Sequence, residues 1–143
     1  MNSEKTSISK EFIWPVRVYY EDTDAGGFVY HTNYLKFMER ARTEWLRALG
    51  FEQTQLRAQY ELVFVVRKMS INYLKPAFFN DLLQVTSDLT HMGKASMILA
   101  QRILRNTDVL CTAEVKIAAL NLIKQRPQAF PSEIIETLTT PNN

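Results

Sequence analysis

The chain is poor in most of the features that settle a function quickly. Its 143 residues include one cysteine, Cys111, and two histidines. One cysteine permits no intrachain disulfide, which fits a reducing compartment. Cys111 lies in an apolar strand-like run, where it reads as a small buried hydrophobe rather than a nucleophile. Two histidines and one cysteine leave little from which to build a metal centre, and no metal is expected. Charge of one sign is not in excess either: Lys and Arg total 17 and Asp and Glu 15, for a net charge of +2. That balance gives no reason to expect nucleic acid as a partner. No apolar run approaches the ~18 residues of a membrane span. The N-terminus, MNSEKTSISK, has no apolar core of a signal peptide. A soluble cytoplasmic protein of one domain, 1–143, is expected, with 1–10 and 139–143 frayed.

What is present is concentrated between Tyr19 and Gly50. An apolar approach ends at Tyr19-Tyr20. A loop follows, Glu21-Asp22-Thr23-Asp24-Ala25-Gly26-Gly27, dense in carboxylates and closed by two glycines. Next comes the longest periodic segment. Tyr34, Met38, Ala41, Trp45 and Leu49 recur at helical spacing, and Gly50 stands where a helix-ending glycine belongs. The spacing predicts a helix from Asn33 to Leu49, a rod of ~25 Å. Phe37 and Leu46 lie off the main stripe, so more than one side of it is covered.

The rest reads as strands. Phe12 to Tyr20 alternates as a first strand, with Pro15 confining it to an edge or a bulge. Gln53 to Gln59 suits a short helix. Phe64 to Leu74, Leu82 to Thr90, Ser96 to Leu104 and Val109 to Ile123 follow as strands, the later ones separated by short turns. They are expected to form a four-strand antiparallel meander. Ser132 to Leu138 suits a terminal helix with Ser132 as N-cap. The class is α+β, one curved sheet wrapped around one long helix.

The loop is the candidate for chemistry. Carboxylates stand just before a helix start, and helix N-termini present free N–H groups and partial positive charge. Such donors can hold a carbonyl oxygen as it gains charge in acyl transfer. Asp24 would act beside it as base or nucleophile. Gly26 and Gly27 permit a tight turn and close approach of a substrate. His31 stands at the helix entry, where an imidazole can orient water or substrate. The alternatives are plain ones: a solvated turn capping the helix, or a calcium loop, for which Gly26 and Asn33 are poor ligands.

The run VRVYYEDTDAGGFVYHTNYLKFMERARTEWL resembles the signature of hotdog-fold acyl-CoA thioesterases of the hydroxybenzoyl-CoA thioesterase class, nearest their YbgC-type, Tol–Pal-associated branch. FVVRKMSINYLKPA and the later AQRI and AEV segments fit as well. The resemblance implies a five-stranded antiparallel sheet around the long helix. It also implies homodimers or homotetramers with sites at the subunit boundary. Asp24 takes the place of the catalytic carboxylate, His31 that of the branch's histidine, and Tyr20 that of a tyrosine lining the site. The peptide N–H near His31 would be the oxyanion donor, and Asp22 a turn residue. Gly27, Arg67, Lys68 and Lys94 are candidates for contacts with CoA, which is part of the substrate, so no separate cofactor is expected. By analogy with the family, acyl carrier protein or phospholipid-synthesis enzymes are candidate partners. The alternative function is a non-catalytic hotdog module that binds acyl chains or scaffolds envelope proteins.

Overall fold

The computed structural model describes residues 11–140. Of the ends expected to fray, 1–10 and 139–143, residues 1–10 and 141–143 lie outside that range, whereas Thr139 is the last residue of a helix and Thr140 its C-cap. In chain order the elements are β1 (Phe12–Arg17), α1 (His31–Ala48), α2 (Gln53–Tyr60), β2 (Leu62–Tyr73), β3 (Leu82–Met92), β4 (Ser96–Arg105), β5 (Asp108–Asn121), β6 (Arg126–Pro127) and α3 (Ser132–Thr139). The sheet runs β1-β3-β4-β5-β2, every pair antiparallel, and the two residues of β6 extend it beside the end of β5. This is the α+β hotdog arrangement.

The helix is amphipathic enough to be wrapped. Tyr34, Phe37, Met38, Ala41, Trp45 and Leu46 are all buried, so Phe37 and Leu46 do cover a second side. Each large side chain taken fully out of water contributes about 2 kcal/mol. α1 begins at His31, two residues earlier than its apolar pattern suggests. Tyr30 is its N-cap, and no side chain caps it. At the other end Gly50 adopts φ +96°, and the Phe51 N–H reaches back to the Leu46 carbonyl at 2.9 Å. That left-handed step is cheap for glycine and ends the helix.

Three expectations need correction. The meander holds three strands, β3 to β5. β2 pairs with β5, at the far edge from β1. The cause lies in residues 74–81. The N–H groups of Leu74 and Lys75 both donate to the Leu110 carbonyl, pinning the chain beside β5. It then crosses the end of the sheet and bonds to Val18, next to β1. Second, β1 ends at Arg17, and Tyr20–Asp22 form a turn of 3-10 helix, because the Asp22 carboxylate accepts the Tyr19 N–H at 2.8 Å and curls the chain. Third, Ser132 is the first helical residue of α3 and not its cap. Pro131 holds the cap position at φ −55° and ψ 144° and has no side-chain acceptor to offer.

The two edges differ. β1 is six residues long and carries Pro15, opposite Gln84. β2 is twelve residues long, with its outer edge unpaired among the described residues and a bulge at Arg67, between Val66 and Lys68.

The core contains one polar knot. Gln101 and Ser87 are fully buried. The Gln101 amide donates at 3.0 Å to the Met38 carbonyl and at 3.0 Å to the Ser87 hydroxyl, and its oxygen accepts from Arg42 at 3.0 Å. The knot joins α1 to β3 and β4, and burial pulls the Arg42 pKa down. Breaking it strands several buried polar groups at once. Gln101→Leu is expected to lower stability by about 3 kcal/mol, measured as a shift of the denaturant midpoint at unchanged m-value.

Candidate active site

The loop after β1 is a tight hairpin. Thr23 and Val29 form a bridge, the Asp24 N–H donates to the Phe28 carbonyl at 2.8 Å, and the Gly27 N–H donates to the Asp24 carbonyl at 3.0 Å. Gly27 stands at φ +85°, where a side chain would strain the backbone. A Cβ at Gly26 would lie 3.2 Å from the Phe28 ring. Phe28 is itself bridged to Phe78, with ring centres 5.4 Å apart. Both glycines therefore serve the turn that presents Asp24.

The Asp24 side chain is exposed. Oδ1 accepts the Gly26 N–H at 2.9 Å. Among the described residues nothing donates to Oδ2. An oxygen with a free lone pair on a fixed backbone is what a nucleophile or base requires.

The hairpin leads directly into α1. The first N–H groups of a helix have no internal acceptors. Here the Asn33 N–H turns back to the Tyr30 carbonyl at 2.8 Å. Those of His31 and Thr32 have no acceptor among the described residues, and no side chain caps them. They form a pair of aligned donors with the helix dipole behind them.

His31 is exposed, its ring 4.6 Å from that of Tyr30 and 6.2 Å, edge-on, from that of Tyr73. The Tyr73 hydroxyl donates to the His31 carbonyl at 3.2 Å. Behind it stands Tyr34, whose ring lies 5.5 Å from that of Tyr73 and whose hydroxyl accepts the Ala77 N–H at 3.0 Å. Burial raises the pKa of both phenols, so both stay protonated near neutrality.

Asp24 thus stands on the hairpin that leads into α1, and His31 is the first residue of that helix. The other expected residues are distributed differently. Tyr20 is 79% exposed and packs edge-on against Phe79 at 5.7 Å, rather than on His31. Arg67 sits at the bulge of β2 with Lys68 beside it. Lys94 lies in the β3–β4 turn, where its carbonyl accepts the Phe130 N–H and the next residue's carbonyl accepts the Ala119 N–H. Tyr73 pairs with Cys111 at the opposite end of β5. Eight strand residues separate those ends, ~26 Å. A single chain therefore does not bring Lys94 to the Asp24 loop.

Three contributors have no signal in residue type alone. Tyr73 and Tyr34 read as core aromatics, although Tyr73 falls on the inward face of a strand whose end meets the helix start. Asn33 stands third from the N-cap, the position from which side chains reach back in capping boxes. Here it reaches Asp22 at 2.9 Å. Among the described residues no group of His, Cys, Asp and Glu is arranged to hold a metal ion, and no helix is long and apolar enough to cross a membrane.

Comparisons with known proteins point to one family. The thioesterase superfamily matches residues 26–112. An acyl-CoA thioesterase YbgC of Haemophilus influenzae is 50% identical over 127 residues, covering 89% of this chain and 93% of the relative. An acyl-CoA thioester hydrolase YbgC of Escherichia coli O157:H7 is 46% identical over 125 residues, covering 87% and 92%. The crystal structure of a probable thioesterase from Bartonella henselae superposes with a TM-score of 0.82 at 39% identity, covering 85% of this chain and all of that one.

Cys111 provides a check on which groups react. Burial pushes its thiol pKa up to about 12, leaving almost no thiolate at neutral pH. Iodoacetamide at pH 8 is expected to leave the folded protein unlabelled and to alkylate it fully in denaturant, as read by intact mass. Cys111→Ala should keep the wild-type turnover.

Proposed function

The chain belongs to the thioesterase superfamily and is an acyl-CoA thioester hydrolase, and from that premise we propose that it cleaves fatty acyl-CoA with Asp24 as the reacting carboxylate. One observation supports this most directly. Asp24 holds a carboxylate oxygen with no donor among the described residues, on a hydrogen-bonded turn one short bridge from an uncapped helix N-terminus.

In this reading the acyl carbonyl oxygen lies at the N–H groups of His31 and Thr32. They are fixed before substrate arrives, so they stabilise the oxyanion without reorganising. Asp24 then acts by one of two routes. It attacks the carbonyl carbon to give a mixed anhydride that water opens, or it takes a proton from a water that attacks in its place. In both, the C–S bond breaks, sulfur leaves as the CoA thiolate and picks up a proton, and the acyl group departs as the carboxylate. His31 orients the attacking group, with its ring held between Tyr30 and Tyr73. Tyr20, on the turn that enters the hairpin, is assigned to the site by family resemblance alone.

A fatty acyl group is favoured by the inward face of β2, where Phe64, Val66, Met69, Ile71 and Tyr73 form an apolar stripe with little polar competition. Val66 and Tyr73 remain nearly half exposed in one chain. Arg67, Lys68 and Lys94 are assigned to the CoA phosphates, with the backbone at Gly27 bordering the thioester. Given the distance along β5, Lys94 would be supplied across a subunit boundary. Cytoplasmic location, a role beside the Tol–Pal envelope system, and contact with acyl carrier protein or phospholipid-synthesis enzymes remain part of the proposal by family analogy.

Assembly follows from the edges. Pro15 blunts β1, whereas β2 leaves a row of peptide groups and an apolar stripe uncovered, an arrangement natural proteins seldom leave open. We assign that edge to a second copy. Light scattering at micromolar concentration should return twice or four times the 16.6 kDa of one chain. A stable monomer would overturn the shared site.

The catalytic assignment is tested by Asp24→Asn, which keeps shape and removes charge and basicity. Single-turnover hydrolysis of acyl-CoAs of rising chain length should fall at least ~100-fold. Affinity for a non-hydrolysable acyl-CoA analogue should persist. Turnover near the wild-type rate would refute the role of Asp24. A wild-type protein that binds the analogue and hydrolyses nothing would identify a binding module instead.

A further inference from the structure

Asp22 lies two residues before Asp24 and is treated differently by the fold. It is buried, at 7% exposure, on a loop whose other carboxylates face water. No cation pairs with it among the described residues. Its own N–H donates to the Tyr19 carbonyl at 3.0 Å, and three further hydrogen bonds hold it as an acceptor. Oδ2 accepts the Tyr19 N–H at 2.8 Å, Oδ1 accepts the Asn33 side-chain amide at 2.9 Å, and its backbone carbonyl accepts the Tyr30 N–H at 2.9 Å. The first bond fixes the chain entering the hairpin. The other two fix the start of α1. Hence one residue ties the arm that carries Asp24 to the helix end that carries the free N–H groups.

The Asn33 bond has a second effect. A carboxylate beside a helix N-terminus ordinarily caps it, because the free N–H groups and the dipole both attract negative charge. Asp22 does not cap the first turn through its side chain. Its Oδ1 is taken by an amide that the helix itself presents from its third position. The first-turn donors stay available while the negative charge is held to one side.

We propose that the Asp22–Asn33 link is a positioning device for hydrolysis. It sets the distance between the Asp24 carboxylate and the N–H groups of His31 and Thr32, and it keeps those groups uncapped. Neither side chain needs to touch the thioester. This rests on the assignment of Asp24 and the helix start as the reacting groups. Small displacements between such groups are costly, since an error of about 1 Å can lower a rate ~100-fold.

The link is an acceptor facing a donor, so its two residues can be exchanged, and the exchange is the test. Asn33→Asp sets two carboxylates against each other. Asn33→Ala deletes one bond from a half-buried side chain and leaves Oδ1 free to cap the helix. Each is expected to lower kcat for acyl-CoA ~10- to 100-fold with KM changed less than about twofold, because binding groups are untouched while transition-state geometry is lost. Adding Asp22→Asn to Asn33→Asp restores an amide facing a carboxylate, now reversed. It should bring kcat back to within about threefold of wild type. Asp22→Asn alone should lose little, since the Asn33 amide can turn over to accept. Wild-type kcat in Asn33→Ala, or an exchanged pair that regains melting temperature without regaining kcat, would overturn the proposal. Asp24→Asn in the same assay separates the two levels. If it stays active, the reading of the site fails. If it is dead while Asn33→Ala is fully active, only the positioning role fails.

Discussion

Six side chains of α1 are buried against a single curved sheet, and that burial constrains everything else. One sheet can cover one helix only by curling around it. Extra residues at Arg67 in β2, Thr90 in β3 and Leu110 in β5 make bulges, and a bulge bends and twists the strand that carries it. The crossing segment after β2 has to close the end of the sheet, and it does so with the Ala77 N–H on the buried Tyr34 hydroxyl. The polar knot of Gln101, Ser87 and Arg42 then fixes the helix in register over β3 and β4. A greasy helix in a greasy trough could slide; one satisfied set of hydrogen bonds cannot be re-formed a turn away.

The site is a product of where that helix is allowed to begin. Its N-terminus emerges beside the exit of β1, so the chain has only the residues between Arg17 and His31 in which to turn. Two glycines and an aspartate complete the turn. The candidate carboxylate, Asp24, and the free N–H groups of His31 and Thr32 are close in sequence, and the hairpin between them is held by local hydrogen bonds. Tyr73 and Tyr34 support them from behind, which couples the helix start to the end of β2.

The legible parts of the fold are those with strong periodicity. The long helix, Gly50 as the helix stop and the pairing of three of the four strands expected in the meander follow from spacing and turn chemistry, and the carboxylate–glycine loop stands out as the candidate for chemistry. The partner of β2 was not legible. Pairing across the sheet depends on where residues 74–81 carry the chain, and nothing in the alternation of Phe64 to Leu74 encodes that route. The end of β1 was obscured because Val18 and Tyr20 continue an alternation the backbone has already left, drawn away by the Asp22 carboxylate. Asp22 read as a turn residue, which it is. Its tie to Asn33 is a tertiary contact between two polar residues eleven apart, and polar pairs leave no periodic trace. Charge and nearness to turns are all that mark Arg67, Lys68 and Lys94 in the sequence, and distance along β5 from Cys111 to Ala119 is what separates Lys94 from the loop.

Pro15 has a consequence for the form that association can take. A sheet with two open edges can accept a new copy on each side, and each addition presents a fresh edge, so growth need not stop. A sheet with one open edge has a single place to add, and antiparallel pairing of two like edges consumes both. One imino acid, by removing a peptide donor from the outer strand, would turn a potential fibre into an assembly that terminates itself.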